Sequence, residues 1–215
     1  MGANTVGIDA SKSNIAIASL HASADPRLRS GTSQLTYLST PVEALLSEDK
    51  RYDVVCASEV IEHVDNPAVF LSTCAQLLKV RALFPLFMIL KHKSAQPGGH
   101  LFLSTISRAP LAYLLTVFFA EDVLGKVSKG THTYSKFIKP SELIQFFREY
   151  RSSPTASTSP WITSAASSPY YLNRLEAECR GLIFNPLQTR WHLASRNAWG
   201  ALECNYLFWV RSPKS

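Results

Sequence analysis

The sequence has little cysteine, no long apolar run and no cluster of one charge, and each of these absences excludes a class of protein. Cys56, Cys74, Cys179 and Cys204 are far apart and form no CxxC pair, which argues against a zinc module or a disulfide-stapled small scaffold. The longest apolar stretches, Val80 to Leu90 and Leu111 to Val123, fall short of the roughly 20 residues that a bilayer-spanning helix needs. No run of Lys or Arg makes a nucleic-acid stripe, so no nucleic-acid partner is expected. The formal charge of +6 is a weak bias towards anionic surfaces or simple solvation. The opening MGANTVGIDA has neither the apolar core of a secretory signal nor the Arg-rich pattern of a transit peptide.

What is present suits an ordinary globular protein. At 215 residues, 46% hydrophobic and 18% charged, the chain can bury a sizeable core, and a single domain over 1–215 is expected. Asn4 to Asp9 reads as a short strand, with Ser11 capping a helix through Ile15, Ala18 and Leu20. Leu35 to Leu38 reads as a strand, Pro41 to Leu46 as a helical turn, and Tyr52 to Ala57 as a buried strand. Pro67 opens a helix through Phe70, Leu71, Cys74 and Leu78, and His100 to Ile106 is another strand. Arg174 to Phe184 and Ala201 to Val210 read as a final antiparallel pair. Strands alternating with helices predict a mostly parallel, doubly wound α/β sheet ending in an antiparallel hairpin.

Two stretches break this rhythm. Residues 80–96 are an apolar run with an internal proline, inserted where a helix should stop and a strand begin. Residues 151–169 are rich in Ser, Thr, Ala and Pro, the composition of a surface loop.

Asp9 stands at the carboxyl end of an early strand, where doubly wound proteins bind ribose hydroxyls. The plainer reading of such an Asp is a helix cap or turn former. SEVIEHVDNP, Ser58 to Pro67, follows the YDVVCA strand at the same sheet edge. Glu59, Glu62 and His63 within it are a ligand set suited to Mg²⁺. A divalent ion there would hold a catechol through both oxygens and acidify one, readying it for alkylation by a sulfonium methyl group. The competing reading is a solvated acidic turn that caps the Pro67 helix. His132, in KGTHT, is a candidate general base or substrate contact, with a solvated loop histidine as the alternative. Trp161, Trp191, Trp199 and Trp209, with Tyr170, Tyr171 and Tyr206, could line an isoprenoid pocket, sit at a membrane interface or pack in the core.

The sequence resembles the ubiquinone-biosynthesis O-methyltransferases, a mitochondrial and bacterial family, and is most similar in kind to a fungal member. The pieces that carry the resemblance are VGID at 6 to 9, YDVVCASEVIEHVDNP at 52 to 67, LLK at 77 to 79 continuing as PGGHLFLSTI at 97 to 106, KGTHTYSKFIKPSEL at 129 to 143, GLIFNP at 181 to 186, and the terminal NYLFW. The resemblance implies a class I methyltransferase fold dependent on S-adenosylmethionine (SAM). It implies that Asp9 and Ser58 hold the cofactor and that Glu59, Glu62 and His63 ligate Mg²⁺. The implied reaction is methyl transfer to a catechol oxygen of polyprenylated ubiquinone precursors, with other ubiquinone-biosynthesis proteins as partners and a peripheral contact with the matrix side of the mitochondrial inner membrane. Two rivals are a methyltransferase of another small catechol and a catalytically inactive fragment or binding subunit.

Two departures from the family pattern stand out. Family members carry, before the strand that ends in Asp9, a first strand and a Gly-rich turn whose backbone amides meet the cofactor. Met1 lies past that element, which would be central in the sheet, so its absence predicts unpaired ladders on two strands and a chain that is unstable or binds cofactor poorly. The second departure is the insert at 80–96, which splits the LK and PGG pieces. It begins with Val and ends with Gln, and codons for these can open with GT and close with AG, as an in-frame unspliced intron would.

Overall fold

The computed structural model describes residues 2–29, 34–79, 98–115, 133–151, 159–165 and 168–213. His132 and the 80–96 insert lie outside the described residues, as does most of the Ser/Pro-rich stretch. The described residues fall into two compact units, 1–50 and 51–215.

The first unit is a strand, helix, strand arrangement. β1 (Thr5–Asp9) pairs in parallel with β2 (Leu35–Ser39), Thr5 opposite Leu35 and Asp9 opposite Ser39. Between them run α1 (Lys12–Ala24) and the single turn α2 (Pro26–Arg29). Ser11 is the N-cap of α1, its side chain accepting from the backbone N–H of Asn14, the interaction expected of a serine there. A 3₁₀ segment, Val42–Glu48, closes the unit and buries Leu45.

The second unit is built on a five-stranded sheet in the order β3-β4-β7-β5-β6. β3 (Val54–Ser58) and β4 (His100–Ile106) are parallel, with Ser58 opposite Ser104. β7 (Asn205–Arg211) runs antiparallel to both β4 and β5 (Ala177–Asn185), and β6 (Arg190–Leu193) turns back on β5. The expected final antiparallel pair, β5 and β7, is thus joined by a third strand, β6. β6 escaped the sequence reading because it is only a short edge strand whose apolar residues do not face a core.

One face of this sheet is the core. Leu101, Leu103 and Thr105 of β4, Ala177 and Cys179 of β5, and Tyr206, Phe208 and Val210 of β7 are all buried, at the alternate positions that share a face. α3 (Pro67–Gln76), capped by Asn66, buries Phe70, Leu71, Cys74 and Ala75, as its spacing predicted. α4 (Pro140–Glu149) buries Leu143, Ile144 and Phe147. Phe147 packs on Phe208 at 5.7 Å and on Trp161 at 5.4 Å between ring centroids. α4 carried readable start signals: Pro140 occupies its first turn, and Glu142 reaches back to accept from the Lys139 N–H at 2.7 Å. At Gly181 an added Cβ would lie 2.1 Å from the Ala201 carbonyl oxygen, so only glycine lets the loop before β7 lie against β5.

β3 is not the buried strand that its composition predicts. Only Ala57 is buried, and Val54 is 49% exposed. Among the described strands β3 pairs with β4 alone, and β1 with β2 alone, so each keeps an open edge. The aromatic residues divide in the same way: Trp161 and Tyr206 are core, Trp209 is half-buried, and Tyr171, Trp191 and Trp199 are exposed.

His100 is a half-buried titratable group at the start of β4. Its Nδ1 accepts from the Trp209 indole N–H at 3.0 Å, so this nitrogen must be unprotonated. Burial, with Arg211 opposite in register adding to it, pushes the imidazole below its ordinary pKa of 6.5. A depressed folded value favours the neutral ring in the native state. The contribution of His100 should be whole above pH 6.5 and drain away as pH falls through the lowered folded value. Urea unfolding of wild type from pH 7.5 to 5 is expected to show this loss, and His100→Gln should flatten the slope there.

Candidate functional site

The site lies in the second unit, at the carboxyl ends of the parallel pair β3 and β4. Parallel register brings Ser58 and Ser104 opposite one another there, and the backbone N–H of Glu59 extends the ladder by donating to the Ser104 carbonyl at 2.9 Å. Glu59 then takes φ +52, a left-handed conformation uncommon for a residue with a side chain. That reversal starts the turn through Val60 to Asp65, which Ile61 anchors by complete burial. The His63 N–H closes it on the Val60 carbonyl at 2.9 Å, and Asn66 then caps α3.

Each glutamate of the turn is tied to β4. Ser104 Oγ donates to Glu59 Oε1 at 2.8 Å, and Asn205 Nδ2 reaches Glu59 Oε2 at 3.5 Å. Thr105 Oγ1 donates to Glu62 Oε2 at 2.8 Å. Glu62 is only 4% exposed, whereas Ser58, Glu59 and His63 are exposed. Sequence reading missed Ser104, Thr105 and Asn205. Their signal was two hydroxyl residues at the end of an otherwise apolar strand.

A second set of bonds holds the segment from Ser135 to Ile138. Arg108 donates to the carbonyls of Ser135 and Phe137 and pairs with Glu142, and Tyr206 Oη donates to the Ile138 carbonyl at 2.8 Å. Beside this segment and the turn opens a cleft of about 390 Å³. Its apolar lining includes Pro67, Ala68, Leu71, Leu143 and Phe146.

In the first unit Asp9 is engaged locally. One oxygen accepts from the Ser11 N–H at 2.7 Å and the other from Asn14 Nδ2 at 3.1 Å. These bonds, the Ser11 one foremost, hold its carboxyl below the usual carboxylate range. Asp9 thus serves the first turn of α1, the plainer of the two roles foreseen for it, while keeping its place at the end of β1 with lone pairs to spare for further donors.

Comparison with known proteins places this geometry. Residues 1–84 match the Methyltransferase domain family. The chain is 37% identical over 213 residues to the ubiquinone biosynthesis O-methyltransferase of Ralstonia nicotianae, covering 99% of this chain and 68% of that protein. It is 35% identical over 216 residues to the protein of Schizosaccharomyces pombe named ubiquinone biosynthesis O-methyltransferase, mitochondrial, covering 100% of this chain and 63% of that one. The chain belongs to the ubiquinone biosynthesis O-methyltransferase family. Among solved structures, the plantazolicin methyltransferase BamL, in complex with a triazolic desmethylPZN analog and SAH, matches 98% of this chain and 68% of its own, with TM-score 0.50 and 10% identity. The fold is that of the class I SAM-dependent methyltransferases. The chain spans between about half and two thirds of the length of such family relatives, 54% in Leptothrix cholodnii and 63% in the fission yeast.

The Mg²⁺ site implied by family resemblance does not fit the arrangement found. Among the described residues, no three His, Cys, Asp or Glu side chains come together as metal ligands. The reason is the pleat of β4. Consecutive strand residues point to opposite sheet faces, and Glu59 is held by Ser104 while Glu62 is held by Thr105. The two carboxylates are therefore engaged by hydroxyls on opposite faces of β4, Glu62 by a buried one.

Two outcomes follow. Thr105→Val leaves the Glu62 carboxylate buried without this donor and should cost about 1.5 to 3 kcal/mol in urea unfolding, with Thr105→Ser restoring most of it. Millimolar Mg²⁺ should leave the thermal unfolding midpoint unchanged, because an ion present at a hundredfold excess over its dissociation constant would add about 2.7 kcal/mol.

Proposed function

We propose that this protein acts in SAM-dependent O-methylation of a polyprenylated catechol on the route to ubiquinone. Membership of the family supports the reaction class, and the observation that carries the site is the turn from Ser58 to His63. It places an exposed serine, carboxylate and imidazole at the carboxyl edge of a parallel pair, the edge at which open α/β sheets bind their ligands. The cleft beside it, apolar along Pro67, Ala68, Leu71, Leu143 and Phe146 and charged at Asp65, Arg108, Lys136 and Glu142, suits a substrate that joins a polar head to a hydrocarbon tail.

In this reading Asp9 accepts hydrogen bonds from the cofactor ribose, and Ser58 contacts the cofactor from the end of β3. SAM, when bound, supplies an electrophilic methyl group on a sulfonium. That methyl group would pass to the phenolic oxygen of the substrate, the carbon–sulfur bonding electrons staying with sulfur. The phenolic proton passes to a base, for which His132 is the candidate. Glu59 and His63 offer acceptors to the catechol hydroxyls and hold the ring for in-line attack. Mg²⁺ supplies no step, because Glu59, Glu62 and His63 do not form its cradle here. The partners proposed are other ubiquinone-biosynthesis proteins and the matrix face of the mitochondrial inner membrane. No helix among the described residues is long and apolar enough to cross that membrane.

A second reading is a binding subunit without activity of its own. Incubation with methyl-labelled SAM and a farnesylated dihydroxybenzoate separates the two. Labelled methyl ether is expected, with a tail-free catechol turned over more slowly. Asp9→Asn should weaken SAH binding in calorimetry by about tenfold or more, the loss of one charge-assisted hydrogen bond. No label transfer together with no heat of SAH binding would install the binding-subunit reading instead.

A further inference from the structure

The hairpin of β5 and β6 exposes a density of large apolar side chains that the proposed chemistry does not use. Ile183, Phe184, Leu187, Trp191 and Leu193 are all exposed, Leu187 at the turn by 95% and Trp191 by 58%. Cross-strand register pairs Phe184 with Trp191 and Leu182 with Leu193 on one face, the first pair with ring centroids 5.3 Å apart. Ile183 lies on the opposite face with His192. The hairpin end is therefore apolar on both faces and at its tip, well beyond the scattered exposed residue that needs no explanation. The next loop adds Trp199, fully exposed.

From Cys179 to Leu202 the sequence has Arg180, Arg190 and Arg196 and no Asp or Glu. Glu178 engages Arg180 and Arg196 at the base of the hairpin, while Arg190 stands next to the tip on the edge strand.

We infer that this hairpin is a lipid-docking element that seats its tip in the interfacial layer of an anionic bilayer. A partner protein, or a second copy of the chain, would cover one face of a ribbon. A ribbon with apolar residues on both faces and a leucine at its apex is suited to a medium that surrounds it. The tryptophan and arginine belong at headgroup level, where an indole spans the polar and apolar layers and a guanidinium meets phosphate. Insertion is shallow, because β6 is an edge strand whose outward backbone groups need water or headgroups. The inference rests on the membrane contact proposed above and deepens it by naming its surface.

The test is sedimentation of the full chain with vesicles of phosphatidylcholine, alone or with phosphatidylglycerol. Wild type is expected to bind the mixed vesicles several times more tightly, with the preference fading at high salt. The double variant Leu187→Asp, Trp191→Ser should lose at least tenfold in partitioning onto both vesicles with its unfolding midpoint unchanged, since both side chains are solvent-exposed. Arg190→Glu should lose severalfold on the anionic vesicles only. Wild type that stays off all vesicles overturns the inference, as does a double variant that binds like wild type. Concentration-dependent dimerisation that this variant abolishes, without vesicle binding, would assign the hairpin to a second copy. Methyl transfer to a water-soluble, short-tailed catechol, assayed without lipid, fails only if the proposed activity is wrong, which keeps the two readings separate.

Discussion

The parallel pairing of β3 with β4 is the constraint on which the site depends. It sets Ser58 opposite Ser104, lets the Glu59 N–H prolong the ladder by one bond, and so delivers the chain into a reversal at the point where the strand ends. Everything downstream follows from that placement. Glu59 takes its left-handed backbone, Ile61 drops into the core, and Glu62 is carried under the sheet edge to Thr105. A strand slip of one residue would reverse which hydroxyl faces which glutamate, because side chains alternate along β4.

The antiparallel pairing of β7 on the other side of β4 supports the same edge from behind. Asn205 at its start reaches Glu59, and Tyr206, fully buried, fastens the Ile138 carbonyl. Arg108 secures the same segment through the Ser135 and Phe137 carbonyls. The polar groups at the rim are thus largely structural, holding a turn and a loop in position. Ser58, Glu59 and His63 are the exposed residues at this rim. A buried carboxylate with a hydroxyl donor costs less than one without, which is what Thr105 contributes to Glu62.

Most of the elements were readable in the residues because local signals agreed. Ser11 before an apolar-patterned segment, Asn66 and Pro67 before Phe70 and Leu71, and the β-branched centre of β3 each follow from backbone sterics and capping. β6 was unreadable because four exposed edge residues carry no alternation against a core. The half-exposure of β3 was unreadable for a different reason: burial depends on how many strands flank it, and composition is silent on that count. The site was legible as a patch of sequence, Ser58 to His63, and as a family pattern. Which carboxylate faces outward was not, because that depends on contacts with residues more than forty positions away in Ser104 and Thr105.

By itself the sequence determined the α/β class, the strand and helix order through β4, the turn that carries the acidic residues, and the family to which they belong, since all of these rest on spacing and short-range sterics. Tertiary structure alone decided that Glu62 is buried on Thr105 while Glu59 stays exposed, and that Phe184, Leu187 and Trp191 stand in solvent while Trp161 is core. The physical reason is that hydrogen-bond partners and burial are properties of long-range register and layer coverage, which no residue encodes without its neighbours in space.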